Sequence, residues 1–137
     1  MIAWQHKVQY YETDRMGITH HSNYIRWMEE GRVAFLDAIG WNYARMEDKG
    51  ITSPIVSVQC DYKNPTTFDD EVRIEVYVKA CSGAKLVVGY RMVNEETGTL
   101  AATGESSHCF LDADGKILRL KQALPEFYEK LCEEQAK

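Results

Sequence analysis

The densest set of groups able to do chemistry lies between residues 11 and 24, which read Tyr-Glu-Thr-Asp-Arg-Met-Gly-Ile-Thr-His-His-Ser-Asn-Tyr. Asp14 stands just ahead of a loop containing Gly17, and that loop feeds directly into a predicted helix. A helix start presents unsatisfied N–H groups and the positive end of the helix dipole, which together polarise a carbonyl. A carboxylate beside it can attack that carbonyl or activate water. The pairing is hydrolytic chemistry. The same aspartate also fits an ordinary Asx-turn, and spacing alone leaves both readings open.

Other chemistries find no matching residues. Ser106 and Ser107 precede His108 within one predicted strand, where neighbours point to opposite faces, and no Gly-x-Ser-x-Gly elbow exists. Phosphate-cradling glycine loops are absent as well. His20 and His21 are adjacent, a spacing that does not aim two imidazoles at one ion, so no metal site is expected. Cys60, Cys81, Cys109 and Cys132 form no Cys-x-x-Cys pair and read as reduced thiols.

The elements that must position Asp14 follow from the hydrophobic period. A strand is predicted over residues 6–12, then the polar loop to His21, then a long helix over 22–39 capped by Ser22 or Asn23. Tyr24, Ile25, Met28, Phe35, Leu36 and Ile39 share its apolar side, Arg26 pairs with Glu30 one turn on, and Gly40 stops it. Arg32 falls near the centre of the apolar stripe, where charge is costly unless paired, so a bond to Glu29 or to a neighbouring subunit is expected. A short helix spans 43–49. The period then changes from 3.6 to 2, giving strands over 56–63, 72–79, 85–94, 100–112 and 116–120 joined by short turns, and a last helix over 125–134. Short turns make neighbours antiparallel. The expected fold is therefore α+β, an antiparallel sheet wrapped around one long helix.

Composition sets the outer limits. With 137 residues, 45% apolar and 27% charged, the chain suits one domain spanning 1–137, able to bury roughly 68% of its unfolded surface. Sixteen basic against 21 acidic residues give a net charge of −5, a poor balance for binding nucleic acid or anionic lipid. No apolar run approaches a membrane span, and the first residues lack the pattern of a signal peptide, so a cytoplasmic location is expected.

The run Thr-Asp-Arg-Met-Gly-Ile-Thr-His-His-Ser-Asn-Tyr-Ile-Arg-Trp-Met-Glu-Glu-Gly-Arg, residues 13–32, resembles the signature of the 4-hydroxybenzoyl-CoA thioesterase-like, hotdog-fold acyl-CoA thioesterases. The likeness continues at 52–56, 68–72 and 112–116, covering most of the chain. It implies hydrolysis of an acyl-CoA to free acid and coenzyme A, with Asp14 as nucleophile or general base. The backbone N–H of His21 would bind the carbonyl oxygen, its side chain could assist the leaving thiolate, and Glu29 is the reserve carboxylate. Gly17, Asn23 and Tyr24 occupy motif positions against the substrate. Lys85 first, then Arg119 and Lys121, would meet the coenzyme's phosphates.

Trp27, Trp41 and Tyr43 either line an acyl tunnel or belong to the core. No cofactor is implied, since coenzyme A is part of the substrate. Unprotected sheet edges favour a homo-oligomer, and the resemblance implies dimers or tetramers with sites between protomers. Two other functions stay open: a non-enzymatic acyl or CoA-binding module, and a hotdog acyl dehydratase, whose His/Asp pairing the Asp14 loop does not match.

Overall fold

In a computed structural model, which describes residues 2–137, the chain builds five strands and four helices. The strands are β1 (Ile2–Lys7), β2 (Ile55–Tyr62), β3 (Glu71–Cys81), β4 (Leu86–Asn94) and β5 (Leu100–His108). The helices are α1 (Ser22–Ala38), α2 (Tyr43–Asp48), α3 (Leu120–Ala123) and α4 (Pro125–Ala136). All pairings are antiparallel, in the order β1-β3-β4-β5-β2. The α+β architecture predicted from the sequence is the one observed.

The clean alternation of β3 buries Val72, Ile74, Val76 and Val78 on one face, and β4 matches it with Leu86, Val88, Tyr90 and Met92. Against that face α1 sets Tyr24, Trp27, Met28, Phe35 and Leu36. The approach is close because Gly31 carries no side chain: a Cβ there would come 2.8 Å from methyl groups of both Ile74 and Val76.

Several boundaries differ from the sequence reading. β1 stops at Lys7, and Tyr10–Glu12 forms a single 3-10 turn. The alternation through Val8 and Tyr10 imitates a strand, but Tyr10 and Tyr11 turn outward while Glu12 turns into the core. β5 ends at His108, and residues 116–120 form no strand. Asp112 closes a turn instead, its carboxylate accepting from the Asp114 and Lys116 N–H groups, and Leu120 opens α3. The cap of α1 also differs: His21 holds the N-cap position, and neither Ser22 nor Asn23 caps the first turn. No helix among the described residues is long and apolar enough to cross a membrane.

β2 departs most from expectation. Its alternating sequence suggests a half-buried strand, yet it lies at the sheet edge with Ile55, Val56, Val58 and Tyr62 exposed. An edge strand eight residues long with apolar side chains is a surface prone to pair with another strand.

Candidate active site

The loop carrying Asp14 is a small closed hairpin. Thr13 and Thr19 form a bridge across it, the Asp14 N–H donates to the Ile18 carbonyl at 2.8 Å, and Gly17 N–H returns to the Asp14 carbonyl at 3.0 Å. The turn needs φ of +80° at position 17, a conformation glycine adopts without steric cost. Asp14 Oδ1 accepts from Met16 N–H at 2.9 Å. The Asx-turn foreseen for this residue is thus present, and it leaves the other carboxylate oxygen without a described protein donor.

Behind the hairpin sits a residue the sequence reading did not single out. Glu12 is 4% exposed, and its carboxylate accepts from Trp27 Nε1 at 2.8 Å and from the Gln9 N–H at 2.8 Å, while His6 Nε2 lies 2.8 Å away. Its carbonyl accepts from the His20 N–H at 2.8 Å and from Asn23 Nδ2 at 2.9 Å. Glu12 therefore ties both ends of the Asp14 loop to α1. Burial opposes ionisation of Glu12, but the bonds from Gln9, His6 and Trp27 outweigh it and hold the carboxyl below 4.5. His6 reaches Glu30 through Nδ1 at 3.0 Å, and Trp4 Nε1 donates to the same carboxylate. Burial alone would lower His6, yet Glu12 and Glu30 together raise it above 6.5. Glu30 thus serves His6, in place of the Arg26 pairing expected along the helix.

The segment around Thr66 braces the loop from its other side. Thr19 N–H donates to the Thr66 carbonyl at 2.9 Å, the two threonine hydroxyls meet at 2.6 Å, and the Tyr24 hydroxyl joins them at 2.9 Å. Thr67 Oγ1 donates to the Gly17 carbonyl at 2.7 Å. A cleft of about 280 Å³ opens here, lined by His21, Tyr24, Tyr62 and Lys63 among others. Tyr24 and Tyr62 meet edge-on at 5.2 Å. At the mouth of α1 the His21 N–H has no acceptor among the described residues.

Neither Asp14 nor any of the remaining expected site residues lines this cleft. Asn23 is buried, its amide spent on the Glu12 and His20 carbonyls. Trp27 and Trp41 belong to the core, Trp41 stacking on Phe127 at 5.2 Å. Glu29 faces a separate, mainly apolar groove of about 520 Å³ along α1, lined by Trp4, Val33 and Ala34 together with the charged Arg26, Glu30 and Asp37. Lys85 is exposed in the β3–β4 hairpin, where Arg119 also comes close to Gly83 and Leu120 N–H donates to the Gly83 carbonyl. Lys121 lies over Tyr128. This basic end is opposite the Asp14 loop, because 11-residue β3 separates the segment bracing that loop from the hairpin, roughly 30 Å at strand rise. One chain does not bring Lys85, Arg119 and Lys121 to Asp14.

Arg32 is buried as its position in the stripe requires, but no carboxylate pairs with it. Its Nε donates to the Tyr43 hydroxyl at 3.1 Å and its Nη1 to the Tyr90 hydroxyl at 3.0 Å. Tyr90 continues to Ser106 at 2.7 Å, and Ser106 to His108 Nε2 at 2.7 Å. Burial, and then the Arg32 charge, lower His108 from 6.5 to about 4. The unfolded chain binds this proton more readily, so stability is present above pH 6.5 and is lost as pH falls toward 4, by roughly 3 kcal/mol in all. Denaturant titrations at several pH values should show that loss, and His108→Gln should flatten the slope between pH 6.5 and 4.5. An unchanged slope in the variant would place the acid sensitivity elsewhere. All four cysteines are free, and no cluster of described residues has the make-up of a metal site.

A single antiparallel sheet closed over one long helix, with a carboxylate loop feeding that helix, defines a hotdog-type protein. Residues 8–133 match the thioesterase-like superfamily, and the chain belongs to it, as a thioester hydrolase. YneP of Bacillus subtilis, provisionally assigned as an acyl-CoA thioesterase, is 37% identical over 128 residues, covering 90% of this chain and 92% of that protein. A DHNA-CoA thioesterase from Staphylococcus aureus superposes with a TM-score of 0.91 at 32% identity, covering 98% of this chain and 90% of the other. A 1,4-dihydroxy-2-naphthoyl-CoA hydrolase of Prochlorococcus marinus is 26% identical over 138 residues, covering 96% of this chain and 89% of its own.

Proposed function

We propose that the protein hydrolyses an acyl-CoA thioester, with Asp14 as the catalytic carboxylate and the His21 backbone N–H as the donor to the carbonyl oxygen. The observation that carries this reading is the His21 N–H at the mouth of α1, without an acceptor among the described residues and on a residue lining the cleft, two residues beyond the Thr13–Thr19 bridge that closes the Asp14 hairpin. As general base, Asp14 takes a proton from water while the water oxygen bonds to the thioester carbon. The His21 N–H and the helix dipole stabilise the oxyanion. The carbon–sulfur bond then breaks, and the coenzyme A thiolate leaves. As nucleophile, Asp14 would itself bond to that carbon before water releases the acid. No metal or redox cofactor enters either route.

Aromatic acyl groups come first as candidates, because Tyr24 and Tyr62 present rings to the cleft and two relatives are named for a dihydroxynaphthoyl thioester. The three carboxylates of the groove beside Glu29, offset by Arg26 alone, suit the coenzyme's phosphates poorly.

The phosphate cations reach this site through a second copy. Pairing β2 with its own copy antiparallel, about a two-fold axis, sets the partner's Ile55 end beside Tyr62. Ile55 and Leu86 both pair with His108, so the Lys85 hairpin lies at that Ile55 end. The two-fold thus brings Lys85 and Arg119 of the partner subunit round to the Asp14 loop. Val58→Lys at the exposed edge should give a monomer in sedimentation, with turnover of coenzyme A esters reduced at least tenfold. A fully active monomer would remove the shared site.

The direct test is free-thiol release from acetyl-, butyryl-, hexanoyl-, palmitoyl- and aromatic acyl-CoA esters. Fast turnover of one class is expected. Tight binding of an ester with no turnover would instead favour a binding module.

A further inference from the structure

Two of the four free thiols stand on elements that the fold presses together. Cys81 ends β3, and Cys132 lies in α4, which the buried Phe127 and Leu131 seat on the core. One contact sets the register of helix on strand: Gln135 Nε2 donates to the Lys79 carbonyl at 3.4 Å. Cys81 is two residues beyond Lys79 on β3, and Cys132 is one turn before Gln135 on α4. The Cys132 thiol faces the Cys81 sulfur in that joint. Both residues are half-buried, within reach of a small solute.

The surroundings divide the two thiols into different roles. Cys81 Sγ donates to the Ser82 carbonyl at 4.0 Å, and burial, then the adjacent Cys132, push this thiol up to about 11. Its thiolate is scarce at neutral pH. Cys132 instead has the Tyr128 hydroxyl, one turn back on α4, as a side-chain partner. The Lys121 ammonium stands 5.9 Å from the centre of the Tyr128 ring. A hydroxyl donor with a cation close by favours a thiolate, so Cys132 is the thiol that attacks and Cys81 the one that resolves.

We propose that Cys81 and Cys132 are a site of reversible oxidation, forming a disulfide that staples α4 to the end of β3 when the protein meets a peroxide. The Cys132 thiolate attacks one peroxide oxygen and the O–O bond breaks. Cys132 becomes a sulfenic acid, and the departing hydroxide takes up the proton that the thiol had lost, leaving as water. The Cys81 sulfur then attacks the Cys132 sulfur. The S–S bond forms as the sulfenic hydroxyl leaves, with the Cys81 proton completing a second water. Two electrons pass from the sulfurs to the peroxide, and a dithiol reductant restores both thiols. The bond closes a loop over residues 81–132, which restricts the unfolded chain far more than the folded one.

Reduced protein treated with hydrogen peroxide should lose two hydrogens by intact mass, and its non-reduced digest should contain the Cys81 and Cys132 peptides joined. The unfolding midpoint should rise by about 5–15 °C and return when dithiothreitol is added. Cys81→Ala lacks the resolving thiol, so peroxide should leave it with a sulfenic acid at Cys132 that dimedone captures. Cys132→Ala should leave Cys81 unlabelled, and both variants should lose the peroxide-dependent rise. The proposal fails if iodoacetamide still alkylates both Cys81 and Cys132 in peroxide-treated wild type, or if the joined form melts no higher than the reduced one. Dimedone on Cys81 in Cys132→Ala would overturn the division of roles.

Discussion

Asp14→Asn should lower kcat for the preferred acyl-CoA by 10²- to 10⁴-fold, the range a positioned general base supplies, while leaving ester binding within a few-fold of wild type. The substitution isolates the chemistry because of how the loop is built. Met16 N–H donates to Asp14 Oδ1, and an asparagine oxygen accepts that bond equally well. The bridge between Thr13 and Thr19, and the Gly17 turn, involve only backbone. What asparagine lacks is a carboxylate oxygen able to take a proton or attack a carbonyl. Thiol release measured beside binding of a non-hydrolysable thioether analogue, with a thermal melt on each protein, separates the outcomes. Loss of turnover with binding and folding kept supports the carboxylate role. Turnover within tenfold of wild type would sink it and make Glu29 the next residue to replace.

How far the sequence led depends on how local each feature is. The length of α1 and its apolar face were legible, because both are properties of neighbouring residues. Asp14, Gly17 and the helix start were legible for the same reason. Glu12 was visible only as one more acid in a polar run, since nothing local says that it turns inward to meet Trp27 from a later element. Thr66 lay further out of reach, as it meets Thr19 across 47 positions. Arg32 was recognised as a charge in an apolar stripe, but its actual partner Tyr90 stands 58 positions away and is neutral. The cations lie apart from the loop of the same chain for a topological reason. Lys85, Arg119 and Lys121 were chosen by charge and hairpin, and strand order then places them at the opposite end of the sheet. The alternating sequence of β2 has no matching alternation of burial in the folded chain, because alternation records two unlike faces without saying what covers either one.

Glu12→Leu should cost roughly 3–5 kcal/mol, the usual penalty for breaking a buried ionic pair from one side, out of a total stability on the order of 5–15 kcal/mol. The loss is large because three donors converge on one carboxylate. Trp27 Nε1 would be buried without an acceptor, the Gln9 N–H would lose its bond, and His6 would keep only Glu30. The milder Glu12→Gln keeps an acceptor and removes the charge, so its deficit should depend on pH. The ionised carboxylate contributes above 4.5, and that contribution is lost as pH falls through its lowered folded value. Protonated His6 contributes below 6.5, and that contribution is lost as pH rises through its raised folded value. The stability gap between wild type and Glu12→Gln, measured by denaturant titration, should therefore be widest between pH 4.5 and 6.5 and narrow on both sides. A gap constant across pH would reduce Glu12 to a neutral hydrogen-bond acceptor. The expected bell would instead show an ion pair holding the Asp14 loop against the central helix.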